Sequence, residues 1–150
     1  MNILPYVRKV QFYETDQMGV VHHSNYIHWF EEARVDLMQQ MGFPYEEVEA
    51  RDITFAVLSL SCEYKSPVRF GETVHVFPGV SQCDLSRMAI CYRVTDARSG
   101  ALRTLGESFH FFFRKTDARP VSLKRAIPEL YELFHSLKEQ GDKAAGAQVL

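Results

Sequence analysis

Tyr26, Phe30, Ala33, Leu37 and Met41 follow one another at steps of 4, 3, 4 and 4 residues, which puts all five on one face of a single helix. Ile27, Val35 and Met38 widen that face, while Glu31, Glu32, Asp36 and Gln39 are left for the opposite side. The pattern predicts a helix over 25–41, with Ser24 or Asn25 as its cap and Gly42 as the glycine that closes it. An apolar stripe of that length must be buried against something large. The rest of the chain supplies it. Segments 53–64, 72–82, 87–96 and 101–115 are rich in Val, Phe, Leu and Thr. Between them lie Ser66-Pro67 with Gly71, then Asp84-Leu85-Ser86, then Arg98-Ser99-Gly100. Turn residues between strand-length runs predict successive antiparallel strands, a meander. One long helix against one large antiparallel sheet is an α+β arrangement.

The remaining segments fit around that frame. Residues 6–13 alternate Val7, Val10 and Phe12 with Arg8, Lys9 and Gln11 and read as a strand, and 14–24 read as a polar loop. Pro44 opens a short helix through Ala50, and Pro128 opens a last one over 129–138. A chain of 150 residues is one domain by length, placed at 1–140. Residues 141–150, mostly Ala, Gly and Gln, are expected to form a loose tail. In the last strand, alternation sets Phe109, Phe111 and Phe113 on one face and His110 with Phe112 on the other. One helix covers one face, so the other is expected to meet a partner subunit.

Several function classes are excluded early. A net charge of -2 leaves no electrostatic footprint for nucleic acid. Three cysteines, an odd count without a C-x-x-C pair, fit a reduced protein and no zinc knuckle. No basic N-terminal stretch precedes an apolar run, and no run is long enough to insert in a membrane, so the expected compartment is the cytoplasm.

Chemistry concentrates between Glu14 and Tyr26. The loop carries Asp16 and leads into the N-terminus of the long helix, where backbone N–H groups lack internal partners and the dipole favours negative charge. A carboxylate that activates water beside an oxyanion site is a minimal hydrolytic machine. The competing reading is an ordinary turn aspartate that bonds its own backbone. His23 and His28, five apart, would point about 140° away from each other in a helix. His22 and His23 are neighbours and are expected to diverge, and no H-E-x-x-H occurs, so no metal is expected. His28 with Glu32 reads as a solvated pair on one helix face. Gly79-Val80-Ser81-Gln82-Cys83 is not G-x-S-x-G and falls within a strand. Neither G-x-G-x-x-G nor a P-loop occurs, and no cofactor is expected.

Tyr13-Glu14-Thr15-Asp16, Gly19-Val20-Val21-His22-His23-Ser24-Asn25-Tyr26 and Trp29-Phe30-Glu31-Glu32-Ala33-Arg34 together resemble the opening motif of the hotdog-fold acyl-CoA thioesterases. The similar branch is the one holding 4-hydroxybenzoyl-CoA thioesterase and the YbgC-type enzymes. Tyr64, Pro67, Arg69, Gly71 and Glu72 are similar to the turn after that family's second strand. The resemblance implies a long central helix wrapped by an antiparallel sheet, and a homodimer or homotetramer that binds acyl-CoA at a subunit interface. It puts the essential aspartate on Asp16 and the oxyanion amide near His23. Gly19, Val20 and Tyr26 are then expected to line the substrate site. The position before His23, often aromatic in the family, is His22 here. CoA carries phosphates, so Arg87 after its turn, and Arg114 with Lys115 at a strand end, are candidate contacts. Two alternatives stand beside the acyl-CoA reading: hydrolysis on acyl carrier protein, and a non-catalytic acyl-binding hotdog module.

Overall fold

The chain runs β1 (Tyr6–Lys9), α1 (Asn25–Gln40), α2 (Tyr45–Ala50), β2 (Ile53–Tyr64), β3 (Thr73–Cys83), β4 (Arg87–Asp96), β5 (Leu102–Arg114), α3 (Leu123–Ala126) and α4 (Pro128–Val149). The computed structural model describes residues 1–149, with side chains through residue 144. The five strands form one antiparallel sheet in the order β1-β3-β4-β5-β2, curled around α1 in the expected hotdog arrangement.

The sheet departs from a simple meander. Only β3, β4 and β5 pair in sequence; β2 lies beyond β5, with Phe55 opposite Phe112 and Tyr64 opposite Thr104. The segment from Lys65 to Glu72 therefore carries the chain from the edge strand β2 past β5 and β4 to β3, one strand in from the opposite edge. Turn residues between strands mark a change of direction and say nothing about which strand becomes the neighbour.

The core lies between α1 and the inner face of the sheet. Tyr26, Trp29, Phe30, Ala33, Leu37 and Met38 are buried on α1, against Val74, Val76, Met88, Ile90, Tyr92, Val94 and Phe112. Leu130 and Phe134 of α4 add to the same core, and Phe134 meets Phe55 edge to face at 6.2 Å. Phe30 stacks flat on Tyr92 with centroids 4.3 Å apart. Burying a side chain of that size stabilises by about 1.5–3 kcal/mol. The alternation of β5 is as expected: His110 and Phe112 point inward and are buried, while Phe109, Phe111 and Phe113 lie on the outer face, half-buried.

Three local expectations change. Ile27 and Val35 are exposed, and Trp29, outside the predicted stripe, is fully buried, because the start of α1 also packs against the loop before it. The first strand stops at Lys9, and a tight 3-10 turn over Phe12–Glu14 leaves Phe12 and Tyr13 exposed. The last helix does not end at Lys138. It continues through the segment expected to be loose, so the boundary drawn at residue 140 falls inside α4. Ala, Lys and Gln are good helix formers even where little packing is available, and Lys138 pairs with Asp142 one turn on at 2.7 Å. Gly42 closes α1 as expected, with a φ of 76°.

Gly106 is needed for the Phe30 stack. A Cβ there would sit 2.4 Å from the Phe30 ring, which is fully buried and has nowhere to move. Gly106→Ala should destabilise the protein by about 1–3 kcal/mol through overpacking. Combined with Phe30→Leu, the loss should fall short of the sum of the two single losses by at least about 0.5 kcal/mol. Urea unfolding of the four proteins measures both, and strict additivity would mean that ring and glycine do not compete for space.

Candidate active site

The loop between β1 and α1 is built around a buried carboxylate. Glu14 is 2% exposed. Its Oε1 accepts the Gln11 N–H at 2.7 Å, and its Oε2 accepts the Trp29 indole N–H at 2.7 Å and faces Arg8 Nη2 at 3.2 Å. The Glu14 backbone oxygen accepts two more donors, the His22 N–H and the Asn25 side-chain amide, each at 2.8 Å. One residue thus ties β1, the loop and the first turns of α1 together.

From there the chain makes a short hairpin. Thr15 bridges Val21, the Asp16 N–H donates to the Val20 carbonyl at 2.9 Å, and Gly19 turns the chain at a φ of 76°. The crossover from β2 to β3 pins the far side, with the Val21 N–H on the Val68 carbonyl at 2.8 Å and Val20 bridged to Arg69. Asp16 does form the turn contact that its bland reading requires: Oδ1 accepts the Met18 N–H at 2.9 Å. That bond fixes the carboxylate and leaves Oδ2 without a partner among the described residues. The turn role and a catalytic role are therefore compatible.

Asp16 opens onto a cleft that also takes in Val20, His23, Tyr26, Tyr64 and Lys65. The Tyr64 O–H donates to the His23 carbonyl at 2.8 Å, and its ring meets Tyr26 edge to face at 5.2 Å. Burial pushes the Tyr26 phenol up to about 12, and burial also raises Tyr64, so both stay protonated donors. Neither expected cap works as a cap. The Ser24 hydroxyl contacts His22 Nδ1 at 2.8 Å, and the Asn25 side chain is taken by Glu14. The His23 N–H has no hydrogen-bond partner among the described residues and stands at the mouth of α1. His22 and His23 do not diverge; the turn stacks their rings with centroids 4.1 Å apart. Even so, no group of three or more His, Cys, Asp or Glu side chains among the described residues could hold a metal. Glu32 is engaged by the Tyr6 hydroxyl and Arg8, in place of the expected partner His28.

The sequence-predicted residues fall into two groups. Asp16, His23, Val20 and Tyr26 line one cleft, and Gly19 shapes its loop. Arg87, Arg114 and Lys115 stand at the other end of the sheet: Arg87 lies opposite Phe111 and Arg114 opposite Ile53. Ten residues of β5 separate Arg114 from Thr104, which neighbours the cleft, so they are about 33 Å apart along the strand. Arg114 pairs with Asp117 and Lys115 with Glu49. Sequence reasoning gave no part to Lys65 or to the Glu14 network. The one available signal for Glu14 was an acid beside an aromatic-rich helix start.

Comparison with known proteins identifies the family and the fold. The family described as "Thioesterase-like superfamily" matches residues 10–134. The putative acyl-CoA thioesterase YneP of Bacillus subtilis is 28% identical over 131 residues, covering 87% of this chain and 94% of that protein. The DHNA-CoA thioesterase from Staphylococcus aureus superposes with a TM-score of 0.86 at 28% identity, over 93% of each chain. The hypothetical protein TT1821 from Thermus thermophilus gives 0.81 at 35% identity, over 90% of this chain and 99% of that one. Among the described residues, no helix is long and apolar enough to cross a membrane.

Removing the Glu14 side chain should unfasten the loop. Glu14→Ala leaves the buried Trp29 indole N–H without an acceptor and Arg8 with only its longer carboxylate contact, to Glu32, and should destabilise by about 3 kcal/mol. Trp29 is the single tryptophan, so its fluorescence during urea unfolding reads this change directly.

Proposed function

The chain belongs to the thioesterase-like superfamily and is a thioester hydrolase acting on acyl-CoA; from that premise we propose how its cleft releases a carboxylate and free CoA. Asp16 either activates a water molecule or attacks the thioester carbonyl itself. In the first case the carboxylate takes the water proton as the oxygen bonds to carbon, and the thiolate leaves. In the second an anhydride forms, the thiolate leaves, and water then cleaves the anhydride. In both, the developing oxyanion is received by the His23 N–H, with the positive end of α1 behind it. Tyr64 holds the turn by donating to the His23 carbonyl. What carries this reading is that the free oxygen of Asp16 and an unpartnered helix-start amide share one cleft.

The working unit in this reading is a homodimer or a dimer of dimers. β2 is a sheet edge of 12 residues, with Val57 and Leu58 more than half exposed. A long apolar edge offers unpaired N–H and C=O groups to another chain. Antiparallel pairing of two β2 strands about their middle would set Tyr64 of one copy beside Ile53 of the other. Arg114 and Lys115 of the partner subunit would then stand near this copy's cleft, where CoA phosphates must lie. They reach it only in that way, being far from it within one chain.

Asp16→Asn should lower kcat by at least about 100-fold while leaving the unfolding free energy from urea titration within about 0.5 kcal/mol of the parent. His23→Ala should lose less than a tenth as much activity, since the group invoked there is the backbone amide. Thiol release from a panel of acyl-CoAs measures both, and near-normal turnover by Asp16→Asn removes it from the chemistry. Sedimentation at micromolar concentration should show a dimer or tetramer. Leu58→Lys on the free edge should shift it toward monomer, and a monomeric parent protein would exclude the shared site.

A further inference from the structure

Three short turns meet beside the Asp16 cleft: the 3-10 turn at Phe12–Glu14, the hairpin at 16–20 and the turn at 69–72. Backbone bonds fix them to one another. The Val10 N–H donates to the Glu72 carbonyl at 2.9 Å, the Glu72 N–H closes its own turn on the Arg69 carbonyl at 3.2 Å, and Val20 is bridged to Arg69. Gly71 makes the tip of that turn possible at a φ of 84°. The turns carry Phe12, Tyr13, Met18 and Phe70. The first three are each more than three-quarters exposed, which makes them the most exposed large apolar side chains among the described residues, and Phe70 is 60% exposed. Phe12 and Phe70 meet edge to face at 5.6 Å. Single exposed apolar side chains are ordinary on any surface; several gathered on one rigid rim are not.

Charge on this rim runs against that of the whole chain. Residues 9–20 and 69–72 hold two cations, Lys9 and Arg69, and three carboxylates, Glu14, Asp16 and Glu72. Glu14 is taken by Arg8 and Glu72 by Arg103. Only Asp16, at the cleft, is left to offset Lys9 and Arg69, both of which are exposed and in no ion pair among the described residues. The rim is therefore locally positive on a chain of net charge -2. Its area also narrows the choice of occupant. At about 150–250 Å² for a large side chain, the four expose roughly 500–600 Å², less than the about 800 Å² per partner of a stable contact between proteins. Two copies of a positive rim would also repel each other. A lipid surface demands neither matched shape nor that much area: aromatic tips enter the headgroup boundary while cations meet anionic lipids.

We propose that Phe12, Tyr13, Met18 and Phe70, with Lys9 and Arg69, dock the protein on the surface of an anionic bilayer. No part of the chain spans the membrane in this arrangement; the turn tips rest in its interface. The inference goes beyond the hydrolysis described above, and the docking does not depend on it. What links the two is Met18, which lines the cleft together with Asp16. A docked molecule holds the mouth of its cleft at the lipid surface, where an amphiphile keeps its chain in the bilayer and its charged head in water. Because backbone bonds already fix the three turns, little chain entropy is lost on docking.

Vesicle flotation of the full chain tests this, with vesicles of phosphatidylcholine alone and of phosphatidylcholine mixed with phosphatidylglycerol. The protein should float with the mixed vesicles, and high salt should release it. Phe12→Ser with Phe70→Ser should lower the partition coefficient by about 10-fold or more. Lys9→Gln with Arg69→Gln should lower it by about 25-fold on the mixed vesicles, at about fivefold per cation. All four side chains are exposed, so the urea midpoint read by Trp29 and the turnover of a short, water-soluble acyl-CoA should stay near the parent values. The charge pair decides the matter should the serine pair fail to fold. A parent protein that ignores both kinds of vesicle, binds both equally, or binds unchanged in both variant pairs overturns the proposal. So does a loss of oligomer in the serine pair, which would make the rim a contact between copies. So does a fall in turnover of acyl-carrier-protein thioesters by a protein that ignores vesicles, which would give the rim to a protein partner. Vesicle binding by a protein that cleaves no thioester supports the docking surface and removes only the thioesterase reading.

Discussion

A carboxylate taken almost entirely out of water must have its oxygens satisfied from several sides at once. Glu14 is in that position, and the rest of the site is arranged around it. Its side chain accepts from Gln11 and Trp29 and faces Arg8, and its backbone oxygen accepts from His22 and Asn25. These partners come from the first strand, the loop and the long helix. The position of Asp16 relative to the start of α1 is thus set by hydrogen bonds that converge on one neighbouring residue. The loop itself could not do this with its own turn contacts. Arg8 also reaches Glu32 at 3.7 Å, which extends the same network one turn further along the helix.

The crossover between β2 and β3 provides the second constraint. It runs from the edge strand β2 across the sheet to β3 and passes the Asp16 hairpin, where Val68 and Arg69 pair with Val21 and Val20. A connection that would otherwise be only a long loop becomes a wall of the cleft, contributing Lys65, Ser66 and Pro67. Arg103 anchors its start: the Arg103 carbonyl accepts from the N–H groups of Lys65 and Ser66, and its guanidinium reaches Ser66 and Glu72.

Much of this was legible in the residues because periodicity records which face of an element is buried. The bounds of β2 and β4 read from alternation match the structure, and α1 ends one residue early. The loop bearing Asp16 was also legible, since polar residues and a glycine between a strand and a helix have few other uses. Periodicity does not record partners. The order that puts β2 beyond β5 is a tertiary fact, and the distance of Arg87, Arg114 and Lys115 from the cleft follows from it. Trp29 lay off the predicted stripe because its burial comes from Glu14, a polar partner that an apolar count ignores. The stacking of His22 on His23 escaped for a similar reason: helical angles do not apply to residues in a turn. The continuation of α4 through Gly141 rests on helix propensity, which an apolar pattern does not record.

The placement of β2 has a consequence in time as well as in space. Ile53 pairs with Arg114 across about sixty residues, so closing that ladder means confining a long stretch of chain before any bond is gained. During synthesis β2 emerges well before β5 and has nothing to pair with while β3 and β4 are made. Helix α1 precedes both and can shield only the inward side of a waiting strand. Residues Val57 and Leu58 are then exposed twice: first as a nascent segment that must avoid wrong partners, and later as the rim of a finished sheet. The charged ends of β2, with Arg51 and Asp52 before it and Glu63 and Lys65 at its close, flank that stretch as gatekeepers would.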